Sequence, residues 1–229
     1  LSKHCSWWAN WEESLEHGLR FPRGFNYALS ELLKEKKYYN YEYFFFVCND
    51  AKFEDDHVIK KLREEIEKHP RVGVISPCSR TWGKKEIIGE NNTKYFWYVE
   101  FLACLVRRDF IEVIREFDEP NYMNFLFDGR NFRGFEADIE LVAKGYANDW
   151  ATAITTKTFM SEDENLLKTK ADLIKTDNFD DNLIKVISEG KKWMRRKYGF
   201  NSRWTFNLYS KFFYENFFEY YPDVIKYKI

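Results

Sequence analysis

The sequence predicts an α/β fold in which a mixed, mostly parallel sheet is flanked by helices and followed by a helical, aromatic-rich tail. Two observations lead to this fold class. Continuous apolar runs such as YEYFFFVCND and RVGVISPCS are typical of strands buried on both faces. Stretches with apolar residues at helical spacing alternate with these runs, which favours a sheet covered by helices. A change in composition after residue 160 divides the chain into a domain at 1–160 and a helical extension at 161–229.

Each predicted helix depends on a stripe of apolar residues. In the first helix Phe25, Leu29 and Leu32 lie on one face, and in the second Val58 and Leu62 do so behind an acidic first turn. The helices are predicted at 25–37, within 51–70, from about 108, at 136–144, at 180–190 and at 204–220. A strand or strand pair at about 94–107 precedes the third of these helices.

Composition and charge exclude several classes of protein. The 229 residues carry 36 basic and 37 acidic side chains and a formal charge of -1, so no overall field attracts nucleic acid. No apolar stretch approaches the length of about 20 residues that a transmembrane helix needs. No signal-peptide pattern opens the chain. We therefore expect a cytoplasmic protein that binds no nucleic acid and has no transmembrane segment.

The cysteines are predicted to be free thiols. Cys48, Cys78 and Cys104 lie within apolar runs, whereas Cys5 lies near the start of the chain. No paired CxxC spacing occurs, which argues against a zinc site. Buried free thiols in a reducing compartment explain this pattern better than disulfides do.

Asp50 is a candidate ligand-binding residue because it follows a buried strand, where the loops of open α/β sheets bind their ligands. A carboxylate there can hold a divalent metal against a diphosphate. Alternatively, Asn49 and Asp50 cap the next turn. Trp82, after the second strand, would stack on a sugar ring or act as a lid or core aromatic.

Three carboxylates crowd the start of the predicted helix at 136–144, namely Glu136, Asp138 and Glu140. Such crowding raises the pKa of one member and suits a general base. The alternative is an acidic first turn that interacts favourably with the helix dipole.

Six segments, in this order along the chain, resemble the family-2-like glycosyltransferases of the GT-A fold over about residues 21–146. They are GFNYAL, FFFVCNDA, RVGVISP, ACLVRRDF, EFDE and GFEADIEL. The resemblance implies a GT-A-like nucleotide-sugar-binding and catalytic domain.

The resemblance also implies roles for single residues. Asp50 matches the last Asp of the family's DxD-type motif, which holds a divalent cation, Mn or Mg, and the donor diphosphate, with Asn49 beside it. Asp138 matches the catalytic base, and Glu136 would share or replace that role. The candidate substrate-binding residues are Asn26, Trp82 and Glu140. Arg107 and Arg108 have a structural role at the sheet edge.

The sequence departs from the family pattern at several points. Cys48 stands where the family has Asp or Asn, and Ala137 replaces a Glu. All four histidines precede residue 70, so the family's later metal-ligating His is absent and Thr155, Thr156 or Glu162 would have to take its place. No counterpart of the family's first strand precedes Phe21.

The resemblance implies transfer of a sugar from a nucleotide-sugar to a hydroxyl of a saccharide or glycolipid, with inversion. The alternative is a catalytically inactive nucleotide-sugar or glycan-binding protein of the same fold. For either function, we expect the strands that end near Asp50, Pro77 and Arg107 to be neighbours with their carboxyl ends at one cleft. Asp138 would face the same cleft.

The aromatic tail leaves three roles open. Phe206, Tyr209, Phe213 and Phe217 form a helical stripe. Packing on the catalytic domain explains the stripe most simply, and the alternatives are homodimerisation or acceptor binding and contact with a membrane surface.

Overall fold

The computed structural model describes residues 19–48, 50–80, 87–89, 92–115, 119–163 and 179–229. The chain divides into two compact units, each built from three separate stretches. The first, which we call the helical unit, comprises 1–41, 115–137 and 167–203. The second, the sheet unit, comprises 42–114, 138–166 and 204–229.

The sheet unit contains a mixed sheet, which confirms the predicted α/β class. Its described strands are β1 (Tyr43–Val47), β2 (Ala51–Phe53), β3 (Val72–Ser79), β4 (Thr93–Tyr95), β5 (Ala103–Arg107) and β6 (Ala151–Glu162). They are ordered β1-β5-β3-β6-β2, and β4 also pairs with β6. Every residue of β3 is buried, as a strand covered on both faces requires.

The sheet is mostly antiparallel, and the predicted mostly parallel arrangement was wrong. Among the described strands only β3 and β6 pair in parallel. Strand β5 runs antiparallel to both β1 and β3. Among the described residues, the chain between β3 and β5 contains β4 and no helix, so these neighbouring strands are not joined by the helical crossover that a parallel pair usually needs.

The helices of the sheet unit differ in how much of their surface is buried. In α2 (Val58–Ile66) the residues Val58, Leu62 and Ile66 are buried, at the spacing of one helical turn. Helix α3 (Arg108–Ile114) starts at the predicted residue, and α4 (Ala137–Ala147) continues through Gly145. No helix in the described part of the chain is long and apolar enough to cross a membrane.

The helical unit contains α1 (Phe21–Lys34) and α5 (Phe179–Tyr198). Its buried polar centre is Asp128, which accepts a hydrogen bond from the indole Nε1 of Trp193 at 3.0 Å. Arg130 and Lys197 pair with the same carboxylate at 2.8 and 3.1 Å. These donors and charges outweigh the effect of burial and hold the pKa of Asp128 far below its usual value.

The tail forms α6 (Arg203–Tyr220). One side of this helix is buried, as predicted, but the set of buried residues differs from the four that the sequence indicated. The buried residues are Phe206, Ser210, Tyr214, Phe217 and Phe218. Within the sheet unit the Tyr214 hydroxyl donates to the Tyr95 carbonyl at 3.2 Å, and its ring packs edge-on against Tyr146. Tyr209, which the sequence placed on the apolar stripe, is instead exposed.

Gly73 of β3 provides a test of the packing between the sheet and α3. A Cβ at this position would lie 2.2 Å from Cδ2 of the buried Phe110 ring. Because a close-packed core cannot absorb that overlap, Gly73→Ala is expected to lower the free energy of unfolding by about 1–3 kcal/mol in urea titrations. The matched control is Gly24→Ala in α1, where the new Cβ would meet, among the described residues, only the Leu19 carbonyl oxygen, at 3.5 Å. This control should leave stability unchanged or raise it by up to about 1 kcal/mol, and equal losses in both variants would contradict the packing.

Candidate active site

The strand directions bring two of the three predicted strand ends together. Since β1 and β3 are both antiparallel to β5, they run in the same direction and end at the same edge of the sheet. This edge also carries the start of β5, so Arg107, at the end of β5, lies at the opposite edge. The expected common cleft for Asp50, Pro77 and Arg107 was therefore wrong for Arg107.

Arg107 has the structural role that the sequence predicted. Its Nε donates to the Val72 carbonyl at 2.8 Å, and an Nη atom donates to the Ile66 carbonyl. The other Nη donates to the Tyr43 hydroxyl at 3.0 Å. The guanidinium group thus ties β1 and β3 to the end of α2, and its donors are used within the fold.

Asp50 follows β1 at the edge where β1 and β3 end. Its backbone carbonyl accepts a hydrogen bond from the Asp163 amide at 2.7 Å, which fixes the position of the loop. Its side-chain Oδ1 is buried and has no hydrogen-bond partner among the described residues. Burial raises the pKa of Asp50, and the nearby charges of Glu162 and Asp163 raise it further. A buried carboxylate oxygen without a partner is costly to the fold and is available to a ligand.

Two buried thiols lie next to each other at this edge. Cys104 is opposite Phe46 in the β1–β5 pairing, and the Cys48 amide donates to the Leu102 carbonyl at 2.8 Å. Cys48, Cys78 and Cys104 are free, as predicted, while Cys5 lies outside the described residues. Burial raises the pKa of Cys48 to about 12, and the charges of Asp50 and Glu162 contribute.

Asp50 and Asp138 each influence one of the two thiols. The Asp50 charge raises the pKa of Cys48 after the larger effect of burial. Burial is also the largest cause that raises the pKa of Cys104, followed by the charge of Cys48, while a hydrogen bond with Ser76 opposes them and the charge of Asp138 contributes less. That Asp50 and Asp138 face one cleft stays a prediction.

The other two acidic candidates are engaged elsewhere. Glu136 has a positive φ of 53° and pairs with Arg203 at 3.0 Å in the helical unit. Glu140 is only 3% exposed and lies 3.9 Å from Lys144, one turn later in α4. The local geometry does not support the predicted catalytic role of Glu136 or the predicted substrate contact of Glu140. Asp138, in the first turn of α4, stays the predicted base.

Asn26 is a structural residue, and its predicted role in substrate binding was wrong. Its side chain is fully buried in the helical unit. Its Nδ2 donates to the carbonyls of Tyr122 and Phe127 at 3.2 and 2.7 Å, and its Oδ1 accepts from the amides of Leu126 and Phe127 at 2.9 Å. All of its hydrogen-bonding capacity is used to fix the loop before residue 128.

The predicted metal ligand is not part of a preformed metal centre within the described residues. There, no group of three or more His, Cys, Asp or Glu side chains is placed to hold a metal ion. Of the three residues proposed to replace the missing His, Thr155 and Thr156 hydrogen-bond to Thr93 and Asn92, and only Glu162 lies near Asp50. These residues do not fit a resident divalent cation. Asn49 and Trp82 lie outside the described residues.

Sequence reasoning did not predict that Cys48 influences the pKa of Cys104. Both cysteines lie within apolar runs, but the register between β1 and β5, which places Cys104 opposite Phe46, cannot be read from either run. Comparison of the chain with protein-family models, with curated proteins and with solved structures found no match.

Asp50→Asn is expected to stabilise the protein at neutral pH. Because the pKa of Asp50 is raised, the folded state binds its proton more tightly than the unfolded chain does. The contribution of this residue to stability is therefore largest below its unfolded pKa of about 3.9 and is lost as the pH rises through its folded pKa. Urea titrations should show a higher free energy of unfolding for the variant at about pH 7, and a smaller difference at about pH 4.5. The control is Asp109→Asn, an exposed carboxylate on α3. A variant that is less stable than the wild type at neutral pH would contradict a buried Oδ1 that has no hydrogen-bond partner among the described residues.

Cys48 is expected to resist alkylation. With a pKa of about 12, its thiolate is scarce at about pH 8, so iodoacetamide should modify it about a thousandfold more slowly than an ordinary exposed thiol. Peptide mass spectrometry measures this rate, and the denatured chain is the control. Equal rates in the folded and denatured chains would show that the thiol is not buried.

Proposed function

We propose that this chain is a glycosyltransferase that transfers a sugar from a nucleotide-sugar to a hydroxyl of a saccharide or glycolipid, with inversion at the anomeric carbon. The observation that carries this proposal is the buried Oδ1 of Asp50, which has no hydrogen-bond partner among the described residues and follows β1 in the segment that resembles the donor-binding motif. Transfer to a hydroxyl needs a group that binds the donor and a separate group that accepts a proton, and both must flank one carbon atom.

The order of the strands supports the same proposal. The segments FFFVCNDA, ACLVRRDF and RVGVISP, which carry much of the resemblance to GT-A glycosyltransferases, form the neighbouring strands β1, β5 and β3. GFEADIEL forms the start of α4, where Asp138 lies in the first turn. Three of the segments that resemble the GT-A glycosyltransferases therefore form neighbouring strands of one sheet. A fourth segment forms the start of α4.

Asp138 is the proposed base. As the acceptor hydroxyl attacks the anomeric carbon, its proton passes to the Asp138 carboxylate, the new glycosidic bond forms, and the bond to the diphosphate breaks. The nucleoside diphosphate leaves with the electron pair of that bond. A sugar hydroxyl is a poor nucleophile, so removing its proton in the transition state lowers the barrier.

Asp50 is the proposed donor-binding residue. When ionised, its buried Oδ1 accepts a hydrogen bond from a hydroxyl of the donor, and this bond offsets the loss of water at that oxygen. The donor would therefore bind to an atom that the described fold leaves unsatisfied. This role does not depend on a resident cation.

The second candidate function is binding of a nucleotide-sugar or glycan without catalysis. In this alternative the buried Oδ1 of Asp50 binds a donor hydroxyl in the same way, but no side chain accepts a proton from an acceptor. Both functions predict donor binding, but only the transferase predicts slow hydrolysis of the donor in the absence of an acceptor. Calorimetry and product analysis with a panel of nucleotide-sugars, with and without Mn, distinguish the two.

Asp138→Asn is expected to keep donor affinity and to lower donor hydrolysis and transfer by about 10²–10⁴-fold, because asparagine cannot accept the proton. Asp50→Ala should instead abolish donor binding. The matched control is Asp109→Asn, whose side chain is 72% exposed on α3, which follows the opposite end of β5.

Retention of hydrolysis by Asp138→Asn would remove Asp138 as the base. Loss of donor binding in the Asp109 control would show that the assay reports general damage. Donor binding without hydrolysis in the wild-type protein would favour the non-catalytic function.

A further inference from the structure

The sheet unit contains a cavity of about 440 Å³ that has no part in the proposed transfer reaction. It lies between the end of α2, strand β4 and the 3₁₀ helix Pro222–Tyr227. Neither Asp50 nor Asp138 is among its lining residues. A cavity of this volume is within the range that binds small molecules.

The lining is rich in lysine. Among the described residues, Lys68, Lys94, Lys157 and Lys226 line the cavity together with one carboxylate, that of Glu65. The Glu65 carboxylate is already engaged, since Lys68 pairs with it at 2.8 Å and the Thr93 hydroxyl donates to it at 2.7 Å. Positive charge therefore remains in excess around the cavity, and an anion would be attracted to it.

The wall behind the lysines is rigid and buried. His69 is 4% exposed, its Nδ1 lies 3.0 Å from the Tyr95 hydroxyl, and its Nε2 lies 3.5 Å from Glu65. The Tyr227 ring packs edge-on against the imidazole, with the ring centres 4.6 Å apart. Lys94 bridges the wall to the 3₁₀ helix, because its Nζ donates to the Lys226 carbonyl at 2.9 Å. Lys94, Lys157 and Lys226 thus lie on β4, β6 and the 3₁₀ helix, next to this hydrogen-bonded wall.

We propose that this cavity binds a small phosphate-bearing anion, an organic phosphate or diphosphate. Lysine ammonium groups bind phosphate oxygens as compact point charges with several donors each. A doubly or triply charged anion would offset the mutual repulsion of the lysines, which a neutral ligand or a single carboxylate would do less well. This binding site is separate from the site proposed for sugar transfer, and the proposal does not depend on the transferase function.

His69 reports on the occupancy of the cavity. Burial lowers the pKa of His69, and the nearby ammonium groups of Lys68 and Lys226 lower it further, whereas Glu65 opposes them. The other titratable groups against the imidazole are the hydroxyls of Tyr95 and Tyr227. A bound anion adds negative charge next to the imidazole and offsets the ammonium charges, so it favours the protonated ring and raises the pKa.

The test is calorimetry with inorganic pyrophosphate and with inorganic phosphate, in low salt and with a chelator that removes divalent cations. We expect saturable binding that is tighter for pyrophosphate and weakens as the salt concentration rises. Lys226→Ala should weaken it about tenfold. The matched control is Lys60→Ala, since Lys60 is exposed on α2 and outside the cavity. In NMR titrations pyrophosphate should raise the pKa of the His69 ring, whose signals are assigned by their loss in His69→Gln.

Three results would overturn the proposal. The first is a lack of saturable binding of either anion. The second is equal weakening by Lys226→Ala and Lys60→Ala, which would indicate attraction to the surface in general. The third is pyrophosphate binding that is lost in Asp50→Ala but kept in Lys226→Ala, because it would place the anion at the candidate active site. Lys226 is exposed, so its replacement is not expected to affect folding.

Discussion

The antiparallel insertion of β5 between β1 and β3 is the constraint on which the rest of the sheet unit depends. Because β5 is antiparallel to both of its neighbours, β1 and β3 run in the same direction on either side of it. Both therefore end at the edge of the sheet where β5 starts. Cys104, near the start of β5, is thereby set against the end of β1. Since β5 runs in the opposite direction, Arg107 at its end lies at the other edge of the sheet. There its guanidinium group donates hydrogen bonds to backbone carbonyls and does not contribute to the candidate site.

The candidate site combines features that the fold by itself would not favour. Asp50 is a carboxylate whose buried oxygen has no described partner, and it lies near two further acids and a thiol. An apolar residue or a serine there would fold at lower cost. Unfavourable electrostatics at the end of a strand are typical of a site that binds a ligand, because the ligand supplies the missing interactions. Asp128 shows the contrast, since its carboxylate is fully engaged within the fold.

The sequence was sufficient for the α/β class, for the six described helices and for β1, β3, β4 and β5, because buried strands and amphipathic helices leave strong patterns in local sequence. It gave no prediction of β2 or of β6, the strand that pairs with β2, β3 and β4. It did not contain the direction of β5, since a strand buried on both faces has the same pattern in either direction. Asp50 and Asp138 could be chosen from their positions at a strand end and a helix start. The sequence could not show that Asn26 is a structural residue. An asparagine whose donors and acceptors are all used inside the fold has the same local sequence as one that binds a ligand. The lysine-lined cavity combines residues from distant segments and has no local signal.

The central claim is that Asp50 and Asp138 belong to one site that binds a nucleotide-sugar. Backbone amide chemical shifts, followed by NMR while a panel of nucleotide-sugars is added, test it most directly. The account predicts that at least one donor shifts the amides of Cys48, Asp50, Cys104 and Asp138 together, with a single dissociation constant. Shifts confined to the lysine-lined cavity, or shifts at Asp50 and Asp138 that saturate at different donor concentrations, would contradict it.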